Sequence, residues 1–281
     1  MRSSAVWLLL LPAAVFILYF FAVQAEGQAR VLPDYPQIDL ESALGQSWAA
    51  RRLTAEEYDL ILHQTGLGTP AVDHLLKEAD GWDTLRAQQK IFFSEEKYRC
   101  LHEDSLCCRE QTVDEDGEVI CANPLVAVEN GDILLTKSSH ILGSGWRNGH
   151  AALVVDAEAG KTLEAIAVGE VSGIRSFQKW EKYPNFLVLR VKDMDQEQRS
   201  KTAEWARTHL CTIPYRLTAG FAGEKDSTEG TQCAHLIWLA YAHFNCDLDS
   251  NGGRLVTPRQ LARSRKLEIV QVCGMDPDDP W

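Results

Sequence analysis

Between positions 131 and 191 the chain runs through short apolar segments, each the length of a single strand: DILLT at 132–136, AALVV at 151–155, LEAIAV at 163–168 and FLVLRV at 186–191. The second and third flank DAEAG at 156–160, a turn ending in glycine, and so predict a hairpin. Residues 267–272 add a last strand. Helix signals surround this block. Thr54-Ala55-Glu56-Glu57 is a capping box, followed by Tyr58, Ile61 and Leu62 on one face and by Gly66 as a stop. Thr69-Pro70 opens a second helix with Val72, Leu75, Leu76 and Ala79 as its apolar stripe. Asp195 caps a helix carrying Ala203, Ala206 and Leu210. Thr231 or Gln232 opens an apolar helix, and Thr257-Pro258-Arg259-Gln260 opens the last one. Strands clustered in the middle with helices around them predict an α+β domain built on an antiparallel sheet.

The chain has 281 residues, enough for one good-sized domain and a smaller region. Residues 1–29 stand apart. After Arg2, positions 5–23 are apolar with no charge, and Val23-Gln24-Ala25 has small residues at signal-peptidase spacing. The stretch suits either a cleaved signal peptide or a retained membrane anchor, and either predicts export of the remainder, to the cell envelope or beyond. Residues 30–128 then form a helical N-terminal region with a cysteine-rich loop, and 129–281 the main domain. A formal net charge of -12 argues against a nucleic-acid partner.

Eight cysteines fit an oxidising compartment, where most would pair. Cys100, Cys107, Cys108 and Cys121 cluster locally. Their spacing lacks a CxxC knuckle, so a disulfide-stapled loop is favoured over zinc, with Cys107 and Cys108 taking different partners.

Cys233 begins the apolar helix, and His150 opens an apolar strand upstream of it. A helix N-terminus and a neighbouring imidazolium both favour a thiolate, and a backbone N–H at the helix start could hold an oxyanion. Glu164, the sole charged residue of LEAIAV, falls on the strand that the hairpin brings beside His150, where a carboxylate would fix the imidazole tautomer. The bland alternatives are a buried structural cysteine, a hydrogen-bonded structural histidine and a solvent-facing glutamate on an edge strand; strand parity alone does not choose between faces. His140 and His235 are read as bystanders. Asp247 to Gly252 begins like a calcium loop, but Pro258 stands where the closing carboxylate belongs, so a solvated turn is expected.

Taken in order, GDILLT, SGWRNGHAALVVD, TLEAIAVGEVSGIRSFQKW, TQCAHLIWLAYAHF and LVTPRQLARS resemble the circularly permuted branch of the NlpC-type papain-like peptidases, the YiiX/YycO-like group of cell-wall-hydrolase relatives. The resemblance covers roughly residues 129–272, with His before Cys as permutation requires. It implies a papain-like α+β domain in which Cys233 is the nucleophile, His150 its base and Glu164 the orienting residue. IPYRL at 213–217 resembles a family segment ahead of the cysteine and implies that Tyr215 lies near the site, with Gln232 beside the thiol as a second substrate contact. Two departures touch substrate preference: Gln232 stands where tyrosine is common, and Ala234 where serine is. The implied reaction is amide cleavage in peptidoglycan peptides, with no cofactor and no metal. A lipid amide or ester hydrolase or acyltransferase using the same triad, since the permuted branch resembles lipid-acting acyltransferases, or a binding module whose site has lapsed, are the alternatives; membrane attachment through the N-terminal segment would suit the first of these.

Overall fold

A six-stranded, wholly antiparallel sheet organises the computed structural model, which describes residues 29–102, 107–141, 147–221 and 223–281. The leader expected over 1–29 lies almost entirely outside the described residues. Four helices come first: α1 (Leu40–Ala49), α2 (Ala55–Thr65), α3 (Thr69–Leu75) and α4 (Gly81–Phe92). The remaining elements are β1 (Lys97–His102), β2 (Cys107–Val113), β3 (Ile133–Thr136), β4 (Ser139–Ile141), β5 (His150–Asp156), β6 (Lys161–Glu164), β7 (Gly173–Ser176), a 3-10 helix (Phe177–Lys182), β8 (Phe186–Val191), α5 (Gln196–His209), α6 (Cys233–Ala242), α7 (Pro258–Ala262) and β9 (Leu267–Cys273). The main sheet runs β7-β6-β5-β3-β8-β9, and β1-β2-β4 form a second, three-stranded sheet. Among the described residues no helix is long and apolar enough to cross a membrane.

Local chemistry sets the helix ends. Thr54, Asp195 and Thr257 each make a full capping box, with Glu57, Gln198 and Gln260 reaching back to the cap amide. Gly66 ends α2 in the left-handed region at φ 72°, and a Cβ there would stand 2.0 Å from the Val272 carbonyl oxygen. Only glycine fits, because this turn lies against β9, where Val272 N–H donates to the Gly66 carbonyl.

Alternation along the strands divides the core in two. Ala151, Leu153 and Leu163 face α5 and α6. Ala152, Val154 and Val188 face Ile61, Val72, Leu75 and Leu85 of α2 to α4, together with Trp180 and Tyr183. The helices of 54–98 therefore cover the second face of the sheet.

Asp132, fully buried just before β3, accepts from Arg190 Nε at 2.8 Å and Nη2 at 2.7 Å. Burial raises its carboxyl pKa even against that guanidinium. Arg190→Met is expected to destabilise the fold by about 3–5 kcal/mol, because it strands a buried carboxylate. A urea midpoint that barely moves would show the pair to be dispensable.

Three expectations are corrected. The cysteine-rich segment is not a loop: β1 and β2 pair in register from Lys97↔Val113 to His102↔Cys108, and a Cys100–Cys108 disulfide joins them. Most cysteines do not pair, since Cys121, Cys211, Cys233, Cys246 and Cys273 are all free thiols. Cys273 and Cys246 are buried, the former on β9, where its thiol donates to Asn123 Oδ1 at 3.0 Å, and the latter after α6. The third strand of the main block stops at Glu164 rather than running to Val168. β6 is also not an edge strand, because β7 pairs along its outer side with Glu164 opposite Gly173.

Candidate active site

His150, Glu164 and the start of α6 come together at one end of the main sheet, where β3 and β6 end and β5 and β8 begin. Gly149 turns the chain into β5 at φ 73°. A Cβ there would meet the Trp281 ring at 2.5 Å and the Thr136 carbonyl at 2.8 Å, so glycine is what lets the strand start beneath that ring.

His150 Nε2 donates to Glu164 Oε2 at 2.7 Å. A carboxylate only accepts, so this bond fixes the proton of the neutral imidazole on Nε2 and leaves Nδ1 as a free base. The Trp180 ring lies parallel to the imidazole, 17° between planes and 5.7 Å between centroids, and keeps water from the bond. Glu164 is fully buried and saturated. Lys179 Nζ donates to Oε2 at 2.5 Å, Thr162 Oγ1 to Oε1 at 2.6 Å, and Trp180 Nε1 points at Oε1 from 3.5 Å.

The charges follow. Burial opposes ionisation of Glu164, but Lys179 and then His150 outweigh it and hold the carboxyl well below its ordinary range. Burial likewise lowers the His150 pKa to about 4, against the pull of Glu164. Lys179 and Arg109 add smaller pushes in the same direction.

Cys233 is the first residue of α6 and is 7% exposed. Burial pushes its thiol up to about 11, while the amides of Ala151, Ala234 and Cys233 itself favour the thiolate. The Ala151 amide belongs to the peptide bond that follows His150, so the sulfur meets β5 at the end that carries His150. Strand parity separates the partners: Ala151 packs with Cys233 and α6, whereas His150 turns to the Trp180 side. Among the described hydrogen bonds the thiol donates to Gln232 Oε1 at 3.5 Å, and none joins it to the imidazole. Catalytic hydrogen bonds commonly tighten only when substrate binds.

Gln232 caps α6, its Oε1 accepting from Ala234 N at 2.9 Å and its Nε2 donating to the Val256 carbonyl. Both ends of its amide are thus engaged within the protein. Tyr215 is half-buried against the core that holds Cys233, and its backbone bridges to Thr231, two residues before the thiol.

The other histidines are held elsewhere. His235 is buried with Nδ1 at 3.1 Å from Thr231 Oγ1 and Nε2 at 2.6 Å from the Lys225 carbonyl. His140 faces Glu110 at 3.2 Å, a carboxylate that Arg147 grips with both Nη atoms. Asp247 accepts from Trp238 Nε1 at 2.7 Å and Asp249 pairs with Lys225 at 2.7 Å, so that run is a turn with its carboxylates in use. Among the described residues no group of three or more His, Cys, Asp or Glu side chains is placed to hold a metal ion.

Lys179 and Trp180 were not anticipated as site residues. The segment FQKW carries no helical or strand period and is separated from the Glu164 strand by β7; its place at the end of the block TLEAIAVGEVSGIRSFQKW was the available signal.

No protein-family model matches the chain, and no curated protein matches it. Among solved structures it is similar to the crystal structure of metalloprotein yiiX from Escherichia coli O157:H7, DUF1105, at 15% sequence identity and a TM-score of 0.40, covering 50% of this chain and 96% of that one.

Proposed function

We propose that the chain is an exported thiol hydrolase that cleaves amide bonds in cell-wall peptides, with Cys233 as nucleophile, His150 as base and Glu164 as the orienting carboxylate. The observation that carries this reading is the shielded Nε2–Oε2 bond of 2.7 Å, which leaves Nδ1 as a base at the sheet end where α6 delivers a thiol. The motif order that resembles the permuted NlpC-type group supports the same roles, and the Cys100–Cys108 disulfide is compatible with export.

With the thiol near 11 and the imidazole near 4, the resting pair is uncharged. Once substrate binding brings Nδ1 within reach of the thiol, the proton would move from Sγ to Nδ1 as sulfur attacks the carbonyl carbon. The S–C bond forms, the imidazolium gives its proton to the leaving amine, and the C–N bond breaks. Water then attacks the thioester, losing a proton to Nδ1; the C–S bond breaks, the carboxylic acid leaves, and the imidazolium returns its proton to Sγ, restoring the neutral pair. Amide groups at the start of α6 would receive the oxyanion, and Glu164 would balance the imidazolium. Tyr215 would line the cleft, while Gln232 would steady the thiol and the helix start. No cofactor takes part.

A lipid amide or ester substrate is the second reading, favoured by the exposure of Val168, Leu217 and Phe221 beside the site. Turnover of murein peptides and of long-chain acyl amides, with Cys233→Ala as control, separates these readings from a lapsed binding module. Activity on neither substrate supports the lapsed module. Alkylation of the resting thiol does not discriminate, because a thiol held near 11 reacts slowly in an active enzyme as well.

A further inference from the structure

The segment that follows β6 carries apolar side chains into solvent. Val168 is 78% exposed and Val171 45%. Val171 bridges to Pro214 in antiparallel sense, Ser172 N–H donates to the Ile213 carbonyl, and Tyr215 N–H to the Glu170 carbonyl. Val168 sits in the turn that Glu170 N–H closes onto the Ala167 carbonyl, just before this pairing, and Leu217, 55% exposed, sits in the turn that follows Tyr215. The turn after Leu217 ends at Phe221, 65% exposed. The four side chains lie on two segments joined at Val171–Pro214, a rim carried next to the start of α6 because Tyr215 also bridges to Thr231. The charges flanking the rim are paired off, Arg175 with Glu170 at 3.7 Å and Arg216 with Glu229 at 3.9 Å. The rim is therefore apolar and close to neutral, which suits hydrocarbon better than an acidic or basic partner.

The N-terminal side of the described chain meets the same end of the sheet. Ala29 is buried, and its carbonyl accepts from Asn185 Nδ2. Asn185 Oδ1 in turn accepts from Thr136 Oγ1 at 3.0 Å, and Thr136 is the register partner of His150. The described chain thus begins at the His150 end of the sheet, beside β8 and three strands, about 15 Å at ordinary strand spacing, from β6, whose following segment carries Val168 and Val171. The uncharged apolar stretch of the sequence ends at Val23, six residues before Ala29. Six residues reach at most about 21 Å when fully extended. Two lipid-seeking features therefore flank the Cys233–His150 end, one on either side.

We infer that this end of the molecule docks on a lipid bilayer through Val168, Val171, Leu217 and Phe221. Docking sets the mouth of the site at the membrane surface and is independent of the thiol chemistry.

The test uses the full chain mixed with phosphatidylcholine vesicles that contain a phosphatidylcholine carrying a diazirine in its acyl chain. After irradiation, labelled peptides are mapped by mass spectrometry. Label on residues 168–171 and 217–221, in addition to the 5–23 stretch, is the expected result. Label confined to 1–28, or absent, overturns the inference, whether the rim stays in water or is covered by a second copy. Leu217→Ser with Phe221→Ser is expected to cut rim labelling about tenfold, a loss in scale with removing two large apolar side chains from lipid. Labelling of 5–23 in the same sample shows that the variant still reached the vesicle, and unchanged rim labelling in that variant also overturns the inference. The same mapping on Cys233→Ala protein reads docking without turnover, so an unlabelled rim there condemns the docking surface and leaves the thiol reading intact.

Discussion

Cys233→Ala is expected to lower turnover by about 10⁴- to 10⁶-fold, the loss typical of removing a covalent nucleophile while binding and oxyanion contacts stay in place. The substitution removes one sulfur from a buried site without disturbing the cap, since Gln232 Oε1 still accepts the Ala234 amide. Cys211 supplies the control. It is half-buried, its thiol donates to the Arg207 carbonyl at 3.2 Å, and it lies outside the site, so Cys211→Ala should turn over at the wild-type rate. Equal losses in the two variants would sink the assignment. The pH profile gives a second check. A base with its pKa near 4 and a thiol near 11 predict kcat/KM that is flat from about pH 5 to pH 10, rather than a narrow bell around neutrality. Stability follows a related rule. His150 is held below its ordinary value of 6.5, so its contribution is complete above pH 6.5 and is lost as pH falls towards about 4. Urea midpoints measured at pH 7.5 and 4.5 should differ in that direction.

The strands that build the site are those whose sequence alternates or runs apolar, and they were legible: DILLT, HAALVVD and FLVLRV lie where their pattern predicts, as does the hairpin that brings Glu164 to His150. The capped helices were legible for the same reason, because a side chain four residues or fewer from its partner leaves a local trace. What escaped has no local signature. β1 and β2 (KYRCLH and CCREQTV) are too polar to show an apolar face, so pairing across the disulfide is visible only in three dimensions. β7 is four residues of mixed burial, yet it turns β6 from an edge into an interior strand and buries the Glu164 carboxylate. Parity was undecidable from sequence because a strand end allows either face. His150 takes the Trp180 side while the neighbouring Ala151 amide meets the thiol, an arrangement that depends on where α6 starts.

Glu164→Gln is expected to reduce kcat/KM by about 10²- to 10⁴-fold, the range for losing the carboxylate that orients a catalytic histidine. The carboxylate does two jobs at one oxygen. Oε2 receives both His150 Nε2 and Lys179 Nζ, so the charge that would support an imidazolium is already shared with an ammonium. A glutamine keeps the shape but removes the negative charge that Lys179 and His150 share, beside a histidine that would become positive in the proposed transition state. Lys179→Met separates the two jobs. Without the ammonium, more of the carboxylate charge falls on the imidazole, and the His150 pKa rises from about 4, although burial, the larger cause, still holds it below its ordinary 6.5. More of the base is then protonated in mild acid, so kcat/KM at pH 5 should fall about two- to threefold relative to pH 8, with the rate at pH 8 retained. Lys179→Arg, which keeps the positive charge, should restore the flat profile. If Lys179→Met instead lowers turnover equally at every pH, the lysine braces the 3-10 helix against β6 and does not tune the base.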